Sequence, residues 1–223
     1  PSHDGTIVIN LDENGSVDVT GLISAAVDDT SVKEIRIDAG AIINAKSVSS
    51  AADAGANLVM DTGSVTISMG AEALKALATA GGNVKFAAEP GAKMTAKQQS
   101  AAGDGKVFTI NLSCGDVEQH DFGKFTLTIA CDITLQDGKE LKVWRIDDYG
   151  KKTYATNVTY SDGKVSFDAD HLSIYAIGYE SESSGPGDGK SDNGDGNTLM
   201  FAGIGAIAVL ALLGAVFMMR RRH

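Results

Sequence analysis

The chain has 223 residues and a formal net charge of −10; because Arg220, Arg221 and Arg222 hold three of its 19 positive side chains, the residues before them carry −13. So acidic a body excludes a nucleic-acid binder of the usual kind, which neutralises phosphates with Lys and Arg. With 26 Gly, three Pro and only 6 % aromatic residues, the composition points to small strand-rich modules with tight turns rather than to one large helical core. The chain opens Pro1-Ser2-His3-Asp4, with no initiator Met and no apolar leader, which predicts that it is the C-terminal piece of a longer surface protein.

In chain order, Thr6 to Leu11 reads as a strand ended by the turn Asp12-Glu13-Asn14-Gly15, and Ser16 to Val19 as a second short strand. After Thr20, a good N-cap, Leu22, Ile23, Ala26 and Val27 recur at helical spacing. Val32, Ile35 and Ile37 then alternate with charged residues as a strand. Residues 39–56 are small and weakly periodic, and predict one short strand and one short helix. Asn57 to Asp61 is another strand. Gly63 to Ile67 repeats the form of Gly15 to Val19, and Ala73, Leu74, Ala76, Leu77 and Ala80 form an amphipathic helix stopped by Gly81-Gly82 before the strand from Asn83 to Glu89. Residues 15–38 and 63–89 therefore read as two copies of a β-α-β unit, together an α/β module over 1–90.

Residues 91–105 lack a hydrophobic face and read as a linker. From Lys106 the period becomes two. Strands are expected over 107–112, 125–129, 141–146, 153–158, 165–167 and 172–177, with turn clusters such as Gln136-Asp137-Gly138 and Ser161-Asp162-Gly163 between them. That spacing predicts an antiparallel sandwich or barrel, of which a β-sandwich over 106–179 is the expected form, with Trp144 and Phe167 as its large core residues. Residues 180–198 are nearly all Gly, Ser, Asp and Asn and are expected to be a disordered acidic tether.

Leu199 to Met219 is apolar without interruption, and its 21 residues at about 1.5 Å each match a hydrocarbon core of about 30 Å. Residues 199–219 are expected to be a transmembrane helix. Arg220, Arg221 and Arg222 then form the stop of a cytoplasmic tail, 220–223, which places residues 1–198 outside the cell membrane. The expected fold class is thus α+β to mainly β: a small α/β module with two β-α-β units, then an antiparallel β-sandwich, then one transmembrane helix. The expected lipid contact is through that C-terminal helix.

Three stretches carry a resemblance. They are Val143 to Lys151 (VWRIDDYGK), Tyr160 to Phe167 (YSDGKVSF) and Asp170 to Ile177 (DHLSIYAI). In this order they resemble the C-terminal region of adhesin-like and S-layer-associated cell-surface proteins of methanogenic archaea and Gram-positive bacteria. Asn57 to Ala88 is similar to modules that precede it there. The resemblance covers about residues 55 to 180 and implies a non-catalytic extracellular module at the end of a stalk; a glycoprotein is expected from the chain's sequons, and surface polysaccharide or other surface proteins are the expected partners. Leu172 stands where the family has Phe, and no LPXTG sorting motif precedes Leu199, which favours a membrane-retained anchor of archaeal type.

The residues themselves offer few chemical sites. Asp170, His171 and Ser173 are close in sequence, but neighbours on a strand point to opposite faces, so adjacency gives no triad, and His171 is expected to make a structural hydrogen bond. His3, His120 and His223 are scattered, and neither a metal cluster nor a cofactor motif is expected. Asp188 to Asp195 departs from a calcium loop at its sixth and twelfth positions, Asn193 and Leu199. Cys114 and Cys131 are either a disulfide of an oxidising exterior or two buried thiols. Asn14, Asn111 and Asn157 begin N-glycosylation sequons. The function expected is a non-catalytic, membrane-anchored stalk that displays upstream modules. The alternatives are the anchoring region of a surface enzyme or solute-binding protein with its active domain upstream, and a C-terminal sorting signal that is cleaved.

Overall fold

A run such as Val65-Thr66-Ile67-Ser68-Met69 has one stable solution, a strand with its three apolar residues on a buried face. The computed structural model, which describes residues 5–9, 20–27, 31–38 and 40–179, stacks such strands into two seven-stranded sheets. The first sheet contains β1 (Thr6–Ile9), β2 (Glu34–Asp38), β4 (Asn57–Asp61), β5 (Val65–Met69), β9 (Phe125–Ala130), β13 (Lys164–Ala169) and β12 (Thr156–Ser161), in that spatial order. The second runs β11 (Lys152–Tyr154), β10 (Lys142–Ile146), β14 (Ile174–Gly178), β7 (Lys106–Cys114), β6 (Asn83–Pro90) and β3 (Ile43–Asn44), with β8 (Val117–Glu118) also on β7.

Register carries the core across the first sheet. Ile9, Ile37, Met60, Ile67, Leu127 and Phe167 stand side by side on successive strands, and Ile7, Ile35, Leu58, Met69, Phe125 and Ala169 form the next row. Val84, Phe86, Phe108, Ile110, Leu112, Val143, Tyr175 and Ile177 of the second sheet share the same hydrophobic cluster. Burying each of the large aliphatic or aromatic side chains contributes about 1.5–3 kcal/mol, which offsets the cost of ordering these long sheets. Into the same cluster go Ile23 and Ala26 of α1 (Thr20–Val27), Val48, Ala51 and Ala52 of α2 (Ala45–Asp53), and Ala73, Leu74 and Leu77 of α3 (Ala71–Ala80). Asn44 caps α2 by accepting from the Ser47 N–H at 2.9 Å, and α3 ends at Gly81 and Gly82, both at positive φ, as glycine-stopped helices do.

The fold class read from the sequence is corrected here: the described chain is a mostly-β, sandwich-like body rather than an α/β module followed by a sandwich. Among the described strands, parallel pairing is confined to β1 with β2 and β2 with β4. The unit expected over 63–89 does not close, because β5 lies in the first sheet, antiparallel to β4 and β9, whereas β6 lies in the second, antiparallel to β7. The copy expected over 15–38 falls partly outside the described residues. Strands from both sides of residues 91–105 build both sheets and one core. The physical reason is that a period of two fixes which side chains face inward but not which sheet a strand joins.

The expected transmembrane helix finds no counterpart in the described part of the chain. Among the described residues no helix is long and apolar enough to cross a membrane. The segment 199–219, the linker 180–198 and Arg220, Arg221 and Arg222 lie outside the described residues.

Residues 91–105 are not featureless. They hold α4 (Ala96–Ala102), which opens with a full capping box: Thr95 Oγ1 accepts from the Gln98 N–H at 3.3 Å, and Gln98 Oε1 accepts from the Thr95 N–H at 2.9 Å. Ala101 and Ala102 pack with Trp144, Ile146 and Ala176 in a second small cluster, and the Trp144 indole donates to the Ala101 carbonyl at 3.0 Å. The alternate residues of β10 thus face α4 on one side and the main core on the other. Phe167 lies in the main core, 1 % exposed.

Candidate functional site

The single strand expected over 153–158 is a corner. β11 ends at Tyr154 in the second sheet and β12 starts at Thr156 in the first, while the Ala155 N–H between them donates to Val143 at 2.9 Å. Just beyond the corner, Asn157 adopts φ 53, a left-handed conformation that Asn tolerates better than most residues, and the β12–β13 register shifts there. The Asp162-Gly163 turn, both residues at positive φ, closes the β12–β13 hairpin in the manner such pairs favour.

Where the two hairpins part, they leave a cleft of about 220 Å³. Register builds its wall on the second sheet, since Thr153 pairs with Arg145 and Arg145 with Tyr175, so the three share one face. The opposite wall holds Asn157, Asp168 and Ala169, with Lys124, Thr156 and Asp170 also lining the cleft. Asp168 is held by two donors, Thr126 Oγ1 at 2.9 Å and Asn157 Nδ2 at 2.7 Å. Tyr175 is 3 % exposed and donates its hydroxyl to the His171 carbonyl. Burial pushes its phenol pKa well up, with the nearby Arg145 charge opposing and Asp170 adding, so it remains a neutral donor throughout the physiological range.

Behind Tyr175 lies a second polar cluster. His171 Nδ1 is 2.5 Å from Asp121 Oδ1, and the His171 ring stacks on His120 with centroids 5.5 Å apart. His120 in turn has Nε2 3.7 Å from Glu118 Oε2, and its backbone carbonyl accepts from the Leu172 N–H at 2.9 Å. The loop 119–121 is thereby stitched to the start of β14. Asp170 lines the cleft instead of meeting His171, and the Ser173 hydroxyl donates to Ile146 O at 3.4 Å, so the three sequence neighbours serve three separate places. Partners fifty residues apart, such as His171 and Asp121, leave no local signal in the sequence.

Cys114 and Cys131 are both free, buried thiols in this structure. Burial pushes both thiol pKa values up; for Cys131, Lys106 acts downward and Asp132 upward beside that effect. Asn111 is exposed on β7, and Asn157 is exposed at the rim of the cleft. Asn14, the calcium-like stretch Asp188 to Asp195, His3 and His223 lie outside the described residues. Among the described residues no three His, Cys, Asp or Glu side chains are grouped to hold a metal ion.

The cleft is the feature that inspection of the sequence missed. Arg145, Asn157 and Asp168 are separated along the chain, and only the change of sheet at Ala155 brings them together. Compared with known protein families and with curated proteins, the chain matches none of them.

Proposed function

We propose that the protein is a non-catalytic cell-surface module, a stalk unit of adhesin-like type that spaces and displays adjoining extracellular modules and is retained at the envelope through its C-terminal sequence. The observation that carries this reading is the placement of β14. The last described strand, from which the chain continues toward its C-terminus, is central in its sheet, paired over five residues with β10 and over four with β7. Antiparallel hydrogen bonds lie perpendicular to the strand, so a pull along β14 loads both ladders together instead of opening one bond at a time. A unit that carries tension between its ends benefits from such an exit.

Two further features support it. Of the polar side chains that invited a catalytic reading, Asp170, His171 and Ser173, the last two are engaged in bonds to neighbouring segments, His171 with Asp121 and Ser173 with Ile146 O. The motif order from Val143 to Ile177 resembles the C-terminal region of adhesin-like surface proteins. The test is a reporter fused before Pro1 in cells that make the full chain. Protease added outside intact cells should remove the reporter, and the remainder should sediment with the envelope; a reporter protected in intact cells would sink the reading.

A further inference from the structure

Two arginines are described, and they differ. Arg36 lies 3.4 Å from both Glu34 and Asp61, whereas Arg145 makes no ion pair and no side-chain hydrogen bond among the described residues. It stands half-buried on the wall of the cleft, beside the buried Tyr175 and across from Ala169 and Asp168. A guanidinium presents a planar fork of donors that a carboxylate matches with two parallel hydrogen bonds. Lys124, also without an ion pair among the described residues, adds a second positive charge to the same cleft.

The rest of the lining narrows the ligand. Asp168 already accepts from Thr126 and Asn157, but Asp170 is exposed and makes no hydrogen bond or ion pair among the described residues, so it offers acceptors to a ligand that brings donors. Thr153, Thr156 and Asn157 supply neutral groups able to meet hydroxyls. A second carboxylate on the ligand would face Asp168 and Asp170, which disfavours dicarboxylates. About 220 Å³ holds roughly seven waters at about 30 Å³ each, space for one sugar ring and little more.

We propose that this cleft binds one sugar-acid unit, a monosaccharide bearing a single carboxylate, with the carboxylate on Arg145 and Lys124 and the hydroxyls on Asp170, Thr153, Thr156 and Asn157. The source of the sugar, a polysaccharide of the cell surface, rests on the surface-module reading; the site itself does not. Being flanked by exposed residues of both hairpins, the cleft admits either a free sugar acid or one residue of a chain.

Isothermal titration of the full-length chain tests this with sodium glucuronate, a galacturonate trimer, glucose and alanine as probes. Glucuronate should bind saturably at one site, glucose at least tenfold more weakly, and alanine more weakly than glucuronate. Arg145→Gln should weaken glucuronate at least tenfold, and the exposed-site variant Lys124→Ala should weaken it severalfold without disturbing the fold. Tighter binding of the trimer assigns a polymer and equal binding a free sugar acid; either supports the site. Glucose or alanine binding as well as glucuronate, no saturable heat, or affinity unchanged in Lys124→Ala and Arg145→Gln would overturn it. These outcomes are independent of where the protein resides, so failure here is distinguishable from failure of the surface reading.

Discussion

Phe167 meets Leu127 across the β9–β13 ladder, and its ring lies 5.2 Å from that of Tyr175 in the opposite sheet. Truncating it opens a cavity bounded by both sheets, which neither can close alone. Phe167→Ala should therefore cost about 3–5 kcal/mol, read as a fall in the urea midpoint with Trp144 fluorescence as the probe. Gly150 is constrained differently. It holds φ 80, and a Cβ there would lie 2.8 Å from the Lys97 carbonyl, so Gly150→Ala should destabilise by about 1–3 kcal/mol and loosen α4. The buried thiols and phenol set a pH limit. Their folded pKa values lie above their ordinary values, near 9.0 for Cys and 10.0 for Tyr, so above those values the unfolded chain releases protons that the folded chain keeps. Stability should stay level through neutral pH and fall as pH rises past about 9, and a thiol reagent at pH 8 should label Cys114 and Cys131 only on unfolding. Rapid labelling of the folded protein would contradict their burial. At this scale Trp144 and Phe167 were legible as core because large aromatics in alternating runs have nowhere else to go. Arg145, Asn157 and Asp168 were not legible as one site, since nothing local links them.

Elements were read well wherever a period was strong. The strands β2, β4, β5, β6, β9, β10 and β13 and the helices α1 and α3 all lie where apolar spacing places them. The stretch 91–105 was misjudged for want of an apolar stripe, because α4 covers Trp144 with alanines, whose small side chains scarcely register as a hydrophobic face. Its capping box, Thr95 followed three residues later by Gln98, was a signal in plain sight. Thr95→Ala should lower stability by about 1 kcal/mol in the same urea assay, and no change would mean that docking alone holds α4. The docking is real: Gln98 Nε2 donates to Asp147 O at 3.3 Å, and Gln98 is 5 % exposed. The corner at Ala155 defeated pattern reading for another reason. The residues 153–158 suit a strand throughout, and the break comes from tertiary pairing: β11 is taken by β10 and β12 by β13.

For the whole molecule, the decisive fact is that both sheets run unbroken across the two halves of the chain: β5 pairs with β9 in the first sheet and β6 with β7 in the second. Both sheets and the main core are shared between the halves, so neither half should persist without the other. The order of elements along the chain suggested successive modules because neighbouring segments usually pack together, and long-range pairing of β5 with β9 overrides that tendency. A stalk unit built this way yields as one piece. Single-molecule pulling between handles at residues 5 and 179 tests this most directly. The shared sheets predict one main unfolding event releasing roughly 600 Å of extended chain, less the folded end-to-end distance. Two well-separated events of roughly half that length each, one for the residues before 91 and one for those after 105, would contradict it.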